Sequence, residues 1–316
     1  MGNPTFDPGL TQQFTAPLRR VINKDGSFNI LRRGTKWRDR HLYLHLIKTG
    51  WPEFLAMLFL AFLAVNTLFA LAYFALGPGQ LAGAEASTAA GRFLNGFFFS
   101  AHTLSTVGYG NIAPKGLASN FLSAFEAMVG LMGFAVATGL LYGRFSRPTA
   151  RLGFSLHMLV APYRGGTSLQ FRIVNQRSNL LMEVEAKVLM MTVAGPPGEF
   201  KRTYDPLPLE RSGVQFLALT WTIVHPIDEH SPLAGMTAAD LERLQVEFLI
   251  LIKGFDDTFG QTVHARYSYR HDELLWGGRF APAFDVDPRG DLVLDPDKVG
   301  ALAHPEAAPA GGSKVV

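Results

Sequence analysis

The 316-residue chain contains no cysteine, which excludes disulfide bonds, thiolate metal sites and a cysteine nucleophile. It also has little net charge, because 29 Lys and Arg stand against 26 Asp and Glu, a formal balance of +3. So small an excess gives no reason to expect a nucleic-acid partner. By contrast, 48% of the residues are hydrophobic, and many lie in long uncharged stretches of the first half. Length and this uneven pattern predict about two domains, one of them in a membrane.

Two apolar stretches are each long enough to cross a bilayer, which takes about 20 helical residues. The first covers about 51–76 and has a charge-free centre from Phe54 to Val65. The second covers about 120–145 and contains one acid, Glu126, among many small residues. Small residues allow membrane helices to pack closely, and they also allow a helix to bend. A pore-lining helix needs both properties, so the pattern is typical of a pore and leaves the role of each glycine open.

The segment between these stretches contains a third apolar run that is too short to span. It covers Phe93 to Ser105 and is followed by Thr106-Val107-Gly108-Tyr109-Gly110. Non-helical backbone at membrane depth occurs only where it is buried in protein or lines a watery path. The sequence therefore predicts a re-entrant pore helix and filter over 93–110, with the negative end of the helix dipole facing a cation.

The five residues 106–110 have the chemistry that a dehydrated cation requires. Oxygens must replace its water on all sides, and backbone carbonyls do so when successive carbonyls face one axis. Gly108 and Gly110 lack the Cβ atom that resists such a path, and the Thr106 hydroxyl adds an oxygen. One strand supplies one side of the cage, so four chains are required. The string resembles the filter of potassium channels, and a surface turn, the alternative, does not fit its place between two spans.

The distribution of basic residues predicts the topology. They flank the outer ends of the spans, at Arg32, Arg33, Lys36, Arg38, Arg40 and Lys48 and at Arg144, Arg147 and Arg151. The segment between the spans has only Arg92 and Lys115. The positive-inside rule then places both termini in the cytoplasm of an integral membrane protein. No third span and no arginine-rich helix is present, which argues against a voltage sensor.

Residues 36–49 mix basic with aromatic and aliphatic side chains directly before the first span. This is typical of an amphipathic helix in the membrane interface, and a solvated connector is the alternative.

The second half changes to period-two alternation between turn clusters. Alternating segments begin near Gln170 and Glu183, and a nearly continuous apolar run covers 246–252. Several short strands with regular turn signals predict an all-β sandwich over 151–284. The segment 285–316 is rich in Pro, Gly and Ala and is predicted to be mobile.

Three further strings, at Gly139–Pro148, Thr222–Leu233 and Tyr267–Gly277, resemble the bacterial inward-rectifier potassium channel family. The filter alone would fit any potassium channel, whereas the second and third strings are more specific. The resemblance covers roughly residues 36 to 283. It implies a homotetramer of two-span α-helical pore subunits with a re-entrant pore helix, each with an interfacial slide helix and a cytoplasmic immunoglobulin-like β-sandwich. It also implies a location in the bacterial inner (plasma) membrane. The implied domains are an N-terminal arm (1–35), the slide helix and pore domain (36–150), the sandwich (151–284) and the tail (285–316).

The resemblance also implies roles for individual residues. K⁺ is held by the backbone carbonyls of Thr106, Val107, Gly108 and Tyr109. Tyr142 takes the bundle-crossing position, and Phe134 stands where strongly rectifying relatives have an acid, which argues against strong rectification. The predicted gate and cavity residues are Tyr142, Phe134, Gly130, Gly133 and Gly139. The predicted sites for anionic, phosphoinositide-like lipid headgroups are Arg38, Arg40, Lys48, Arg144, Arg147 and Arg151. For Arg144 and Arg147 the alternative is topology-setting charge alone.

Two residues near the filter depart from the family pattern. His102 stands where many relatives have glutamate, and Asn111 where many potassium channels have aspartate. The usual ionic brace is therefore absent or replaced by a hydrogen bond. His102 either titrates near neutral pH and modulates the filter, or is a neutral, hydrogen-bonded histidine.

The string His225-Pro226-Ile227-Asp228 suggests a metal or catalytic site at first sight. No convincing nucleophile lies nearby, and a structural loop is the simpler interpretation. The resemblance implies that His225 and Asp228 couple the cytoplasmic domain to the gate. We therefore expect passive K⁺ conduction without an enzymatic step and without a cofactor, K⁺ being the permeant ion. The alternative is a membrane receptor or a transporter pore subunit in which the β-domain senses a ligand.

Overall fold

The computed structural model describes residues 8–10, 13–14, 20–31, 42–146, 150–196 and 199–303. The chain divides into two compact units. One unit is Arg33–Arg147, which contains the long helices, and the other combines Met1–Arg32 with Pro148–Val316 and contains most of the strands.

Within the described residues there are five α-helices. They are α1 (Leu42–Lys48), α2 (Trp51–Leu76), α3 (Ala89–Leu104), α4 (Leu117–Phe145) and α5 (Ala238–Arg243). Both α2, with 26 residues, and α4, with 29, are long and apolar enough to cross a membrane. With 16 residues, α3 is shorter than a span. It begins where the Thr88 hydroxyl accepts a hydrogen bond from the Gly91 amide at 3.1 Å, which satisfies one free amide of the first turn.

The strands of the described residues lie mostly in the second unit. They are β1 (Gln13–Phe14), β2 (Leu81–Ala82), β3 (Ala113–Pro114), β4 (Leu152–Phe154), β5 (Met158–Tyr163), β6 (Gly166–Asn175), β7 (Leu181–Ala194), β8 (Phe200–Pro206), β9 (Gly213–Phe216), β10 (Thr220–Ile227), β11 (Glu247–Asp256), β12 (Gln261–Arg270), β13 (Leu274–Trp276), β14 (Arg279–Phe280), β15 (Phe284–Val286), β16 (Leu292–Leu294) and β17 (Leu302–Ala303). In the helical unit, β2 pairs with β3 antiparallel. This pair joins the two ends of the segment between α2 and α4, and α3 lies within the loop so formed.

Two sheets form the sandwich. One has the order β1-β8-β7-β11-β12 with β9 against β7, and the other β10-β6-β5-β13 with β4 against β6. Side chains from both sheets share one core, for example Phe171 and Ile173 from β6 with Phe248 and Ile250 from β11. Alternate residues of each strand point to this core, since side chains alternate across a strand. The predicted all-β sandwich is confirmed.

The N-terminal segment 20–31 packs on this sandwich. Val21 and Ile22 are buried in a second apolar cluster that includes Leu249 of β11. The buried Glu247 carboxylate accepts hydrogen bonds from the amides of Val21 at 3.0 Å and Ile22 at 3.4 Å. The Ser268 hydroxyl donates to the Ile22 carbonyl at 2.6 Å. The described part of the predicted arm is therefore an integral part of the β unit.

The prediction of a mobile segment from residue 285 is wrong for residues 285–303. Strand β15 pairs with β16, and β17 pairs with β14. Val299 is buried, with 9% of its surface exposed. Composition suggested mobility, but backbone pairing and one buried apolar side chain hold the segment to the unit. Residues 304–316 lie outside the described part of the chain.

Candidate functional site

The segment 106–110 follows α3 with an alternating backbone. Thr106, Gly108 and Gly110 have φ angles of 61°, 56° and 80°, whereas Val107 and Tyr109 between them do not have positive φ. Alternation of positive and negative φ turns successive peptide groups the same way, with amides on one side and carbonyls on the other. Glycine tolerates positive φ, but in the β-branched Thr106 it is a strained conformation of the kind found at ligand sites.

Two hydrogen bonds fasten this segment to the helix before it. The Thr106 amide donates to the Thr103 carbonyl at 3.0 Å, and the Gly108 amide donates to the His102 carbonyl at 3.1 Å. Carbonyls in the last turn of a helix have no partner inside the helix. The segment therefore supplies the donors that the end of α3 lacks, and the position of α3 determines the position of the segment.

The side chains of the segment point away from the helix core of the single subunit. Val107 is 52% exposed and Tyr109 is 74% exposed. The imidazole of His102 meets the Tyr109 ring edge to face, with 4.8 Å between the centroids. The departure from the family pattern thus places an aromatic contact beside the segment, and modulation of the filter by His102 stays a prediction.

Buried polar contacts join α2 to α4 and α3 to α2. The Tyr73 hydroxyl of α2 donates to Oε2 of Glu126 in α4 at 2.7 Å. The Ser100 hydroxyl of α3 donates to Oδ1 of Asn66 in α2 at 2.9 Å. The sequence analysis noted Glu126 only as the one acid of the second apolar stretch and did not single out Asn66. The signal that would have found them is the rule that an ionisable residue inside a span is usually functional.

The glycines of α4 differ in their surroundings. A Cβ atom at Gly130 would lie 2.4 Å from the Leu104 carbonyl oxygen, whereas nothing lies within 4 Å of one at Gly133 or Gly139. Gly130 is buried and is the point of close approach between α3 and α4, and its role in the cavity and gate stays a prediction. Gly133 and Gly139 stay predicted cavity and gate positions.

Two bulky side chains of α4 project from the single subunit. Phe134 and Tyr142 are each 73% exposed. Both lie in the long apolar helix that follows residues 106–110, and Tyr142 lies in its last turn. Their placement leaves them available to partner subunits or to a pore.

Arg144 makes contacts within the helical unit that the sequence did not predict. Its guanidinium donates to the carbonyls of Leu46 and of Ile47, the latter at 3.2 Å, and to that of Thr49 at 2.7 Å. These are the free carbonyls at the end of α1. The same guanidinium lies 4.7 Å from the Trp51 ring centroid and stacks in the same way on Phe54. The Arg144 guanidinium therefore links α4 to α1, and lipid binding by Arg144 stays a prediction.

The other basic residues predicted to bind lipid are placed only in part. Lys48 lies exposed in the last turn of α1, and Arg151 is exposed before β4. Arg38, Arg40 and Arg147 lie outside the described residues.

His225 is buried in β10, with 3% of its surface exposed. Its Nδ1 lies 2.5 Å from the Pro208 carbonyl, which only accepts, so Nδ1 bears the proton. Its Nε2 then accepts from the Ser231 hydroxyl at 2.8 Å. Burial lowers the pKa of His225, against smaller raising effects of the Pro208 hydrogen bond and the Asp228 charge. The neutral ring thus joins two loops inside the β unit, and Asp228 caps the next turn through the His230 amide at 3.0 Å.

Comparison with known proteins agrees in both units. Residues 152–309 match the family model of the inward rectifier potassium channel C-terminal domain, and residues 54–147 match the ion channel model. The chain is 39% identical to the inward rectifier potassium channel Kirbac3.1 of Paramagnetospirillum magnetotacticum, over 93% of this chain and 100% of that protein. It is 29% identical to the ATP-sensitive inward rectifier potassium channel 11 of Homo sapiens, over 89% of this chain and 77% of that protein. The alternative of a receptor or a transporter subunit finds no support in these similarities.

Proposed function

Because the chain belongs to the inward rectifier potassium channel family, we propose that residues 106–110 form its selectivity filter and that four copies of the chain surround the conduction path. The protein is a membrane channel for K⁺. The observation that supports the filter assignment best is the alternating φ of Thr106, Gly108 and Gly110. A strand that turns its carbonyls to one side provides one quarter of an oxygen cage, which accounts for the need for four subunits.

In this proposal K⁺ loses its water stepwise along the filter. The Thr106 hydroxyl and the carbonyls of Thr106 to Tyr109 replace the hydration oxygens, and repulsion between ions in neighbouring sites keeps them moving. The end of α3 adds the negative end of a helix dipole behind the Thr106 ring. The chain's own contribution is therefore coordination and positioning, with no bond made or broken.

We place the gate at Tyr142. Its exposed ring lies in the last turn of α4, where four such rings would exclude water and close the path. Phe134 is equally exposed and apolar. An apolar ring in the cavity has no charge with which to hold a cationic blocker, so weak rectification is expected.

Anionic lipid is the proposed modulator. Each Lys or Arg near an anionic leaflet contributes on the order of 1 kcal/mol to lipid attraction, and Lys48 at the end of α1 is exposed. Arg144 bonds the carbonyls directly around Lys48. A lipid that moves α1 would therefore move the end of α4, close to Tyr142. The positive-inside rule supports cytoplasmic termini, and the similarity to the channel of Paramagnetospirillum magnetotacticum supports a bacterial inner membrane.

Uptake of radioactive rubidium into liposomes that contain the purified protein tests the gate. Tyr142→Ala should raise uptake, because a methyl group cannot close the path, while Tyr142→Phe retains the bulk and should behave as wild type. Equal uptake by all three proteins would contradict a gate at Tyr142.

The same assay with and without phosphoinositide tests the lipid site. Lys48→Gln should weaken the response to the lipid. Lys298→Gln, at an exposed lysine of the β unit, is the matched control and should respond as wild type. If the two variants respond alike, lipid does not act through Lys48.

A further inference from the structure

Four polar side chains are almost completely buried between the helices of the pore unit. Asn66, Ser100 and Glu126 are 0% exposed, and Tyr73 is 3% exposed. Polar and ionisable groups at membrane depth are costly, and they occur mainly where they have a function. Their positions relative to the filter indicate what that function is.

The first contact ties the pore helix to the outer helix. Ser100 of α3 donates to Oδ1 of Asn66 at 2.9 Å, and Nδ2 of Asn66 donates to the Phe62 carbonyl at 2.7 Å. The second bond fixes the orientation of the Asn66 amide, so Oδ1 faces Ser100. Ser100 lies in the same helical turn as His102, whose carbonyl anchors the Gly108 amide. The hydroxyl thus acts close to the attachment of the filter.

The second contact ties the outer helix to the inner helix beside α3. The Tyr73 hydroxyl donates to Oε2 of Glu126 at 2.7 Å, and the Tyr73 ring meets Phe99 of α3 edge to face, with 5.1 Å between centroids. Within the described part of the chain, Oε1 of Glu126 has no hydrogen-bond partner. The Tyr73 hydroxyl therefore holds the Glu126 carboxyl from α2, and Ser100 of α3 also interacts with this carboxyl.

We propose that the Tyr73–Glu126 and Asn66–Ser100 hydrogen bonds are the positioning contacts that hold α3, and with it the filter, for selective K⁺ conduction. The filter-flanking positions 102 and 111 bear a histidine and an asparagine, so an ion pair between two such side chains cannot provide the brace. In this chain the contacts that hold the filter are hydrogen bonds between the helices that surround it. The inference rests on the assignment of residues 106–110 as the filter.

The test measures ion preference, which a purely structural contact would leave unchanged. Tyr73→Phe removes the hydroxyl and leaves the Glu126 carboxyl without this donor, and Ser100→Ala does the same to Asn66. Both should lower the preference for K⁺ over Na⁺, measured from reversal potentials in bilayers, by at least about fivefold. Glu126→Gln retains an oxygen that accepts from Tyr73 and should change the preference least.

Matched controls separate this effect from loss of a hydroxyl in general. Ser123→Ala removes a hydroxyl that bonds only within α4, to the Asn120 carbonyl, and Tyr163→Phe removes one from the β unit. Both should retain wild-type selectivity. Fewer open channels with unchanged selectivity in Tyr73→Phe and Ser100→Ala would overturn the proposal. If Tyr73→Phe does not assemble, the K⁺ preference of Ser100→Ala alone tests the proposal, with the same two outcomes. A wild-type protein without K⁺ preference would instead refute the filter assignment.

Discussion

Gly130 of the inner helix approaches the carbonyl of Leu104 at the end of the pore helix so closely that a Cβ atom would lie 2.4 Å from that oxygen. The inner helix therefore touches the pore helix where the filter begins. Any side chain at position 130 must move one of the two backbones, because the contacted atom is not the end of a flexible side chain.

Gly130→Ala should therefore disturb the filter from behind. Overpacking of this kind typically costs about 1–3 kcal/mol, so we expect reduced tetramer stability and reduced rubidium uptake. Gly133→Ala is the matched control for stability, since nothing lies within 4 Å of a Cβ atom there. Both variants are compared with wild type by thermal unfolding in detergent, and Gly130→Ala is also compared with wild type by flux. Wild-type behaviour of Gly130→Ala would show that the approach of the two helices has no bearing on the filter.

Arg144→Lys should weaken the link between α1 and α4. A lysine ammonium is a point donor, whereas the planar guanidinium reaches several carbonyls at once and stacks on Trp51. We expect a smaller change of flux on addition of phosphoinositide, with the K⁺ preference unaltered. Arg92→Lys, at an arginine over the Phe74 ring, is the control for loss of a cation–π contact. An unchanged lipid response in Arg144→Lys would exclude the link as the transmitting element.

The stability of the β unit should fall as the pH drops below neutrality. Burial lowers the pKa of His225 from its usual 6.5, so the folded protein binds this proton more weakly than the unfolded chain does. Stability is then fully present above about pH 6.5 and decreases as the unfolded chain takes up the proton below it. Thermal unfolding from pH 8 to pH 5 measures this. His225→Gln should flatten the curve, whereas the exposed His264→Gln should not; parallel curves for all three proteins would contradict the assignment.

Glu247→Gln should loosen the N-terminal segment. The carboxylate accepts from the amides of Val21 and Ile22, and a neutral amide is a weaker acceptor with one oxygen instead of two. The expected loss is about 1–3 kcal/mol of unfolding free energy, with faster hydrogen exchange at residues 20–24. Glu229→Gln, at an exposed glutamate, is the control. Equal exchange in both variants would mean that the apolar contacts of Val21 and Ile22 suffice.

The sequence predicts what depends on local pattern. Long uncharged runs, period-two alternation and the string at 106–110 are all local, and they led to the spans, the sandwich and the filter. The conducting function, too, followed from a motif and its context.

Contacts between distant segments were not predictable in this way. Arg144 reads as one more basic residue after a span, and only the fold brings it to the carbonyls at the end of α1. In the sequence Gly130 is one of several small residues, and only the structure shows that it packs against the end of α3. The prediction that residues 285–303 are mobile was wrong because composition reports only local propensity, whereas the pairing of β14 with β17 depends on tertiary structure.

Rubidium uptake into K⁺-loaded liposomes is the most direct test of K⁺-selective conduction through residues 106–110. Barium should block the uptake by wild-type protein. The uptake should also be lost when the liposomes are loaded with Na⁺ instead of K⁺. Gly108→Ala should abolish it, since the φ of +56° at this position is strained for alanine. Uptake that Na⁺ supports equally well, or that persists in Gly108→Ala, would contradict selective conduction through this filter.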